Sequence, residues 1–442
     1  MTTPPTIHRR TLLQTAVASL ALGAIGFPIA AAQAANTTAR MDDVLSTDAL
    51  KALQAMMDAH VAEGYLPGAT WLVQSRGETH VGTAGSFELG GGRPMARDTI
   101  FRVASITKPV TAALAMMLVE EGKLSLDGPV DALLPELAGR RVLKRIDGPL
   151  DETVPAAGPI TLRHLLTMTF GLGAIMVFPE EYPVQLAMRE TGLAPGFALP
   201  QMSSDAYMEK LGALPLAAQP GEKFLYNNGL DVAGILIERA TGKRLGAVMA
   251  ERLFEPLGMK DTGFFVPEEK RDRLPPQYGP DFANGGGLKV FGPQEGIDFT
   301  APPQLDSGAG GLVSTVDDYL AFCRMMLNGG ELDGKRYLKT ETVAEMTRDQ
   351  LTPEQKRGPH AEPFMAGGGA GWGLGMSVAV KRTKPWLVPG RFGWDGGYGT
   401  SAYTDPANGL IGIFFSQRMM DSPEPPRTYL DFWTQAHKAA DG

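Results

Sequence analysis

Ser105 and Lys108 stand three residues apart in the tetrapeptide Ser-Ile-Thr-Lys. Residues 99–103 read as a short strand, and residues 109–121 are rich in Ala, Leu and Met, which favour a helix. Because residues three apart share one face of a helix, we expect the Lys108 amine to lie beside the Ser105 hydroxyl. A lysine of lowered pKa can take the proton of such a hydroxyl and make it a nucleophile. The alternative interpretation of the tetrapeptide is an ordinary solvated helix start.

Two further segments carry groups that could act on the same substrate. Tyr226 and Asn228 lie at the start of a predicted helix, where a tyrosine can serve as a base or proton relay and an amide can donate to a carbonyl. Trp394 precedes Gly396 and Gly397, and such glycines let a strand approach a ligand closely enough for a backbone N–H to face it. A helix cap around a buried tyrosine and a hairpin turn with a bulge are the alternatives for these two segments.

Composition limits the classes of partner. The chain has 442 residues, 43% of them hydrophobic and 20% charged, as is ordinary for one large or two modest globular domains. Its net charge of −8 argues against a nucleic acid or an anionic membrane as partner. Cys323 is the only cysteine, so no internal disulfide can form, and its apolar helical setting indicates a buried, inert thiol.

Residues 1–34 have the pattern of an export signal. Arg9 and Arg10 precede an apolar run that ends in the A-x-A-like sequence Ala32-Gln33-Ala34. An arginine pair followed by Leu-Leu is typical of twin-arginine export. The alternative, a spanning anchor, is disfavoured because the run contains polar, Gly and Pro residues. We therefore predict a periplasmic or secreted protein with no stable membrane anchor after cleavage.

The rest of the chain alternates between two kinds of region. Residues 35–125 and 305–442 contain both strand and helix patterns and are predicted to form one α/β domain. Residues 126–304 are predicted to form a mostly helical domain, in which residues 265–303, rich in Pro, Gly and charge, are expected to be a long surface loop. The predicted strands are 69–74, 79–85, 99–103, 372–380, 392–394, 400–404 and 410–416. The principal predicted helices are 47–64, 109–121, 204–211, 227–241, 245–254, 315–328 and 428–438.

The order Ser-x-x-Lys, Tyr-x-Asn and a late aromatic-x-Gly segment resembles the serine β-lactamase and penicillin-recognising superfamily. The chain is most similar to its class C branch and the related family VIII carboxylesterases, from about Thr47 to the C-terminal helix. Further stretches similar to that family are 161–167, 242–245, 254–259 and 307–319. The resemblance implies an α/β (α+β) fold of the β-lactamase/transpeptidase type, with an antiparallel sheet flanked by helices and a mostly helical second domain.

The same resemblance implies a role for each matching residue. Ser105 would be the nucleophile and Lys108 its partner base. Tyr226 would pass a proton to the leaving group, and Asn228 would orient the substrate. The family's oxyanion hole uses two backbone N–H groups, which here would be those of Ser105 and Gly397.

One departure from the family bears on the substrate. Where β-lactamases and transpeptidases usually carry Lys-Thr-Gly or His-Thr-Gly, this chain has Trp394-Asp395-Gly396. Since a tryptophan supplies no positive charge and Asp395 would repel an anion, the pocket is expected to favour a neutral ester, unless Arg418 restores a cation. Three apolar side chains near the motifs are expected to suit an apolar acyl group: Met168, Phe170 and Tyr398.

The sequence therefore predicts an exported serine hydrolase of the carboxylesterase type, which acts on a small-molecule ester or amide through an acyl-enzyme on Ser105. A β-lactamase or D,D-peptidase, and a non-catalytic ligand-binding member of the fold, are the alternatives. No Gly-x-Ser-x-Gly motif points to an α/β-hydrolase, and no His, Asp or Glu cluster has the spacing of metal ligands. No cofactor or metal is predicted, and the oligomeric state is left open.

Overall fold

The computed structural model describes residues 44–281 and 286–441, so the predicted signal at residues 1–34 lies outside it. Within that part of the chain, no helix is both long and apolar enough to span a lipid bilayer. The α-helices are α1 (Thr47–Ala62), α2 (Thr107–Glu120), α3 (Leu162–Leu166), α4 (Pro183–Thr191), α5 (Ser204–Ala213), α6 (Asn228–Thr241), α7 (Leu245–Met249), α8 (Glu255–Leu257), α9 (Val316–Leu327), α10 (Thr340–Met346) and α11 (Arg427–Ala440).

The strands come mainly from the two ends of the described chain. They are β1 (Gly68–Ser75), β2 (Glu78–Gly85), β3 (Phe101–Arg102), β4 (Arg141–Leu143), β5 (Thr153–Pro155), β6 (Gln277–Pro280), β7 (Leu288–Phe291), β8 (Val313–Ser314), β9 (Glu331–Leu332), β10 (Lys335–Arg336), β11 (Ala370–Trp372), β12 (Ser377–Ala379), β13 (Phe392–Gly396), β14 (Thr400–Asp405) and β15 (Leu410–Ser416).

One seven-stranded antiparallel sheet forms the centre, in the order β11-β12-β13-β14-β15-β1-β2. Alternate residues of a strand point to opposite faces, which explains how β15 serves two cores. Phe414 packs with α1 and α11, whereas Ile413 and Phe415 belong to the larger core that contains α2, α6 and α9. The predicted antiparallel sheet flanked by helices is thereby confirmed, as is the predicted β1–β2 hairpin.

Two predicted segments differ from the structure. Residues 372–380, predicted as a single strand, reverse direction between β11 and β12. Residues 265–303, predicted as a long surface loop, contain the β6–β7 hairpin and bury Val266, Ile297 and Phe299. Ile297 and Phe299 stand singly between polar and Gly residues, and Val266 ends a short apolar run just before Pro267, so none of them belongs to a periodic pattern that the sequence analysis could detect.

The predicted helical region, residues 126–304, does not have a separate core. Leu165 and Leu236 from that region belong to the same contiguous cluster of buried side chains as Val110 and Ile413 from the sheet region. Residues from 44 onward accordingly group into one compact unit. The division into two domains stays a prediction.

Candidate active site

Ser105 stands on a tight turn between β3 and α2. The preceding residue, Ala104, has a φ of +48°, a conformation that costs a residue with a Cβ roughly 1–3 kcal/mol. Hydrogen bonds on both sides hold this turn, because Thr400 Oγ1 donates to the Val103 carbonyl at 2.8 Å and Thr107 Oγ1 donates to the Ala104 carbonyl at 2.7 Å. The fold therefore holds Ser105 in place through a strained backbone at Ala104.

Lys108 lies beside Ser105, as the sequence predicts. Its Nζ donates to Ser105 Oγ at 2.9 Å and to the Ala309 carbonyl at 2.6 Å. The lysine side chain is completely buried, and this burial lowers the pKa of Lys108 to about 7, while the nearby Asp231 acts in the opposite direction. Near neutral pH a large fraction of Lys108 is thus a neutral amine that can accept the Ser105 proton.

Asp231 is a component of the site that the sequence analysis missed. Its Oδ1 accepts hydrogen bonds from Ser307 Oγ at 2.6 Å and from the Ala309 N–H at 3.1 Å. Burial raises the pKa of the Asp231 carboxyl, against the effect of these two donors and of Lys108. The carboxyl therefore holds the segment whose Ala309 carbonyl binds Lys108. One signal could have revealed it, because a lone acid among the apolar residues of a helix needs a partner.

Tyr226 is the third predicted group that the structure brings to this point. Its Oη accepts a hydrogen bond from Trp394 Nε1 at 2.8 Å, and its ring centroid lies 4.6 Å from Lys108 Nζ. Burial raises the pKa of the Tyr226 phenol, although hydrogen bonds with Ser105 and Trp394 act in the opposite direction. The tyrosine is consequently a neutral phenol at ordinary pH, which suits a proton relay better than a standing base.

An aromatic cluster fixes the Tyr226 ring. Phe364 stacks on Tyr226 with ring centroids 4.5 Å apart, and Trp372 meets Trp394 edge-on at 4.7 Å. Such contacts add to the packing energy of the rings and restrict their rotation. Phe364 comes from a segment without a recognisable motif, so sequence analysis offered no reason to place it here.

Gly396 allows β13 to approach the turn that carries Ser105. A Cβ at this position would lie 2.1 Å from Thr400 Oγ1 and 2.4 Å from the Val103 carbonyl oxygen, so only glycine fits. The Gly396 carbonyl also accepts a hydrogen bond from Tyr429 Oη at 3.1 Å. This approach brings the end of β13, and with it Gly397, to the side of the Ser105 turn. The oxyanion role of Gly397 stays a prediction.

The side-chain amide of Asn228 forms its hydrogen bonds within the protein. Its Nδ2 donates to the Leu193 carbonyl and to Tyr207 Oη, both at 2.9 Å, and the residue is 3% exposed. Both amide hydrogens are therefore engaged by protein groups. The predicted donation to a substrate carbonyl would require one of these bonds to break.

The predicted effect of Asp395 on the substrate is wrong. Because residues alternate along β13, Trp394 faces Tyr226 while Asp395 lies on the opposite face of the sheet. There its carboxyl accepts hydrogen bonds from Ser401 Oγ at 2.5 Å and Tyr403 Oη at 3.1 Å.

The other side chains expected at the pocket are also engaged elsewhere. The Arg418 guanidinium pairs with Asp421 at 2.8 Å and stacks on Tyr65 at 3.9 Å, so it does not supply the cation that Trp394 lacks. Three predicted acyl-pocket side chains are at most 2% exposed and belong to the packed interior: Met168, Phe170 and Tyr398.

The assembled groups are suited to nucleophilic acyl substitution. A hydroxyl, an amine of pKa about 7 and a phenol lie within hydrogen-bonding or van der Waals contact of one another. Across residues 44–281 and 286–441, no group of three or more His, Cys, Asp or Glu side chains is placed to hold a metal ion.

Comparisons with known proteins agree with this geometry. An uncharacterized protein of Mycobacterium tuberculosis is 38% identical over 363 residues, covering 81% of this chain and 87% of its own length. Esterase EstB of Burkholderia gladioli is 32% identical over 397 residues, covering 85% and 92%. The solved structure of EstCE1, a hydrolase with promiscuous acyltransferase activity, superimposes with a TM-score of 0.71 at 25% identity and covers 88% of this chain and 98% of its own. The family model described as Beta-lactamase matches residues 53–432, and the chain therefore belongs to the Beta-lactamase family.

Proposed function

We propose that this protein is a carboxylesterase that hydrolyses small neutral esters through an acyl-enzyme on Ser105. The observation that carries the proposal is the 2.9 Å contact between Ser105 Oγ and the buried Lys108 amine, next to the Tyr226 phenol. The uncharged Trp394 replaces the family's lysine or histidine and uses its N–H on Tyr226. This substitution supports a neutral substrate over an anionic β-lactam. The likeness to Esterase EstB supports the same choice.

The reaction proceeds in two stages. Lys108 takes the proton of Ser105 as Ser105 Oγ attacks the ester carbonyl. The backbone N–H groups of Ser105 and Gly397 then donate hydrogen bonds to the developing oxyanion. Tyr226 gives its proton to the departing alkoxide and recovers one from Lys108. Water then attacks the acyl-enzyme with the same groups as base, which releases the acid and restores Ser105. Each proton transfer of this kind contributes about 10²- to 10⁴-fold.

A panel of p-nitrophenyl esters beside the β-lactam nitrocefin tests this proposal. We expect ester turnover, little nitrocefin turnover, and loss of activity in Ser105→Ala. A fluorophosphonate probe should label Ser105 in the parent protein, with the adduct located by peptide mass spectrometry. Efficient nitrocefin hydrolysis would favour the β-lactamase or D,D-peptidase alternative. Absence of both turnover and labelling would favour the non-catalytic alternative.

Acyl transfer to an alcohol is a second candidate activity. EstCE1, whose fold this chain shares, combines hydrolysis with acyl transfer. In this chain aromatic rings pack around the relay, since Phe364 stacks on Tyr226 and Trp372 meets Trp394 edge-on. If an alcohol replaces water in the second stage, a new ester forms. Chromatography of the products at rising alcohol concentration distinguishes the new ester from free acid.

We also propose that residues 1–34 direct twin-arginine export to the periplasm or beyond. Fractionation of cells followed by N-terminal sequencing tests this. Arg9→Lys together with Arg10→Lys should retain the protein in the cytoplasm with an uncleaved N-terminus. Unchanged export of this variant would contradict the proposal.

A further inference from the structure

Phe197 is a partly exposed aromatic side chain that touches the predicted oxyanion strand. Its ring lies next to Gly397, since a Cβ at Gly397 would lie 2.7 Å from Phe197 Cε1. The Tyr398 hydroxyl donates a hydrogen bond to the Phe197 carbonyl, and the two rings stack at 6.3 Å with an interplanar angle of 28°. The loop that carries Phe197 is thus tied to the residue that follows Gly397.

The residue keeps 46% of its surface exposed, so part of its surface is free to contact a bound molecule.

The two ends of this strand segment carry different aromatic neighbours. At Trp394 the neighbour is Phe364, which stacks on Tyr226, whereas at Gly397 it is Phe197. β13 ends at Gly396 and Gly397 begins the following turn, so with a strand rise of roughly 3.3 Å per residue these two positions lie at most about 10 Å apart. The site around Ser105 therefore has a Tyr226 end and a Phe197 end.

The chemistry assigns one part of an ester to each end. The alkoxide must leave beside Tyr226, because that phenol supplies its proton in the proposed mechanism. The carbonyl oxygen points to the N–H groups of Ser105 and Gly397. The acyl chain then leaves the tetrahedral carbon on the side away from Tyr226, where Phe197 presents its exposed ring.

We propose that Phe197 is a specificity-determining residue that contacts the acyl chain and favours apolar acyl groups of several carbons. This inference rests on the proposed ester hydrolysis and deepens it. An acetyl group is too short to cover the ring, whereas a longer chain removes apolar surface of both partners from water. The preference for long over short acyl chains should therefore depend on this ring.

A series of p-nitrophenyl esters with acetyl, butyryl, hexanoyl and octanoyl groups tests the inference, since the leaving group stays constant. In Phe197→Ala we expect kcat/KM for hexanoate to fall about tenfold relative to acetate. Phe265→Ala is the matched control, because Phe265 has a similar exposure of 37% and lines a separate cavity of about 400 Å³. An acyl profile equal to that of the parent or of the control would overturn the inference.

A second series varies the alcohol and keeps the hexanoyl group. Phe197→Ala should leave the ranking of these alcohols unchanged, whereas a change confined to this series would place Phe197 at the leaving group and contradict the proposal. Melting temperature and fluorophosphonate labelling verify that each variant is folded and has a reactive serine. If Ser105→Ala keeps full activity, the proposed function itself fails; if only the acyl profile is insensitive to Phe197, this inference alone fails.

Gly397→Ala provides an independent measurement. The added methyl group must displace the Phe197 ring, so this variant should lose the same preference for hexanoate over acetate. The ratio of kcat/KM for hexanoate to kcat/KM for acetate cancels any effect on oxyanion stabilisation that the two esters share. Phe197→Ala added to Gly397→Ala should change that ratio no further, and fully additive losses would show that the two residues act separately.

Discussion

Lys108 must be neutral to take the proton of Ser105, and its complete burial favours the neutral form by lowering its pKa to about 7. Below that pH the ammonium form predominates and no base is available. We therefore expect kcat/KM for a p-nitrophenyl ester to rise with pH along a limb centred near pH 7. Because the pKa of Tyr226 is raised, the phenol should cause no decline near neutrality. A profile that is flat from about pH 5 to pH 9 would exclude Lys108 as the titrating base.

The charge of Asp231 should determine the pH at which kcat/KM rises. Its negative charge favours the ammonium form of Lys108, so removal of the charge should lower the lysine pKa further. In Asp231→Asn we expect the rising limb to move to lower pH by about one unit. The amide oxygen can still accept the hydrogen bond from Ser307, which keeps the local structure. A limb that stays in place or moves upward would show that Asp231 does not act through charge.

Trp394 should stabilise negative charge on Tyr226 during proton transfer, because its Nε1 donates to the Tyr226 oxygen. Trp394→Phe keeps an aromatic ring but removes this donor. We expect kcat to fall about tenfold, since hydrogen bonds to charged groups contribute about 1.5–3 kcal/mol. Trp372→Phe is the control, because Trp372 belongs to the same cluster but donates to the Leu166 carbonyl. Equal losses of kcat in the two variants would indicate a packing effect alone.

Residue spacing was sufficient to predict the meeting of Ser105 with Lys108, because three residues on a helix fix their relative positions. The helix-start position alone made Tyr226 a candidate, but its meeting with Ser105 could be predicted only through the resemblance to a family, since more than a hundred residues separate the two. Asp231 and Phe364 reach the site through tertiary packing and belong to no recognised motif. Their positions could not be derived from local sequence.

Strand β13 shows that the register of a strand decides which face of the sheet each residue of a motif occupies. Trp394 and Asp395 are neighbours in sequence, yet the strand directs them to opposite faces of the sheet. Sequence analysis predicted the strand correctly but treated both side chains as pocket residues. The identity of the face depends on pairing with β14, where Trp394 lies opposite Ala402. The tripeptide Trp394-Asp395-Gly396 alone does not determine this pairing, because it depends on several residues of both strands.

Asp395 should therefore matter for stability and not for substrate choice. The buried Arg391 guanidinium lies 3.7 Å from the Tyr403 ring and 4.1 Å from the Trp433 ring, with Asp395 as a nearby negative charge. Asp395→Asn removes one of the two carboxyl groups near that cation, the other being Asp405, and should lower the free energy of unfolding by about 1–3 kcal/mol. Urea denaturation measures this loss. A change in selectivity between neutral and anionic esters with unchanged stability would instead place Asp395 at the substrate.

In the described part of the molecule, distant segments of the chain meet in one central sheet and in the largest of its cores. Strands β1 and β2 from the beginning of the described chain pair with β15 near its end. The helical middle region packs its apolar side chains into the same cluster as this sheet. Composition and periodicity predicted both sets of elements, but the shared core depends on contacts between residues far apart in sequence.

A shared core should make the two regions unfold together. Leu236 in α6 and Ile413 in β15 are 2% and 0% exposed and belong to the same cluster, although the predicted domain boundary separates them. Replacement of either residue by Ala should cost about 2–5 kcal/mol through lost burial and the cavity left behind. Differential scanning calorimetry should show a single transition that both variants move to lower temperature. If the regions are instead independent domains, each variant would shift only one of two transitions, and the calorimetric enthalpy would exceed the van't Hoff enthalpy.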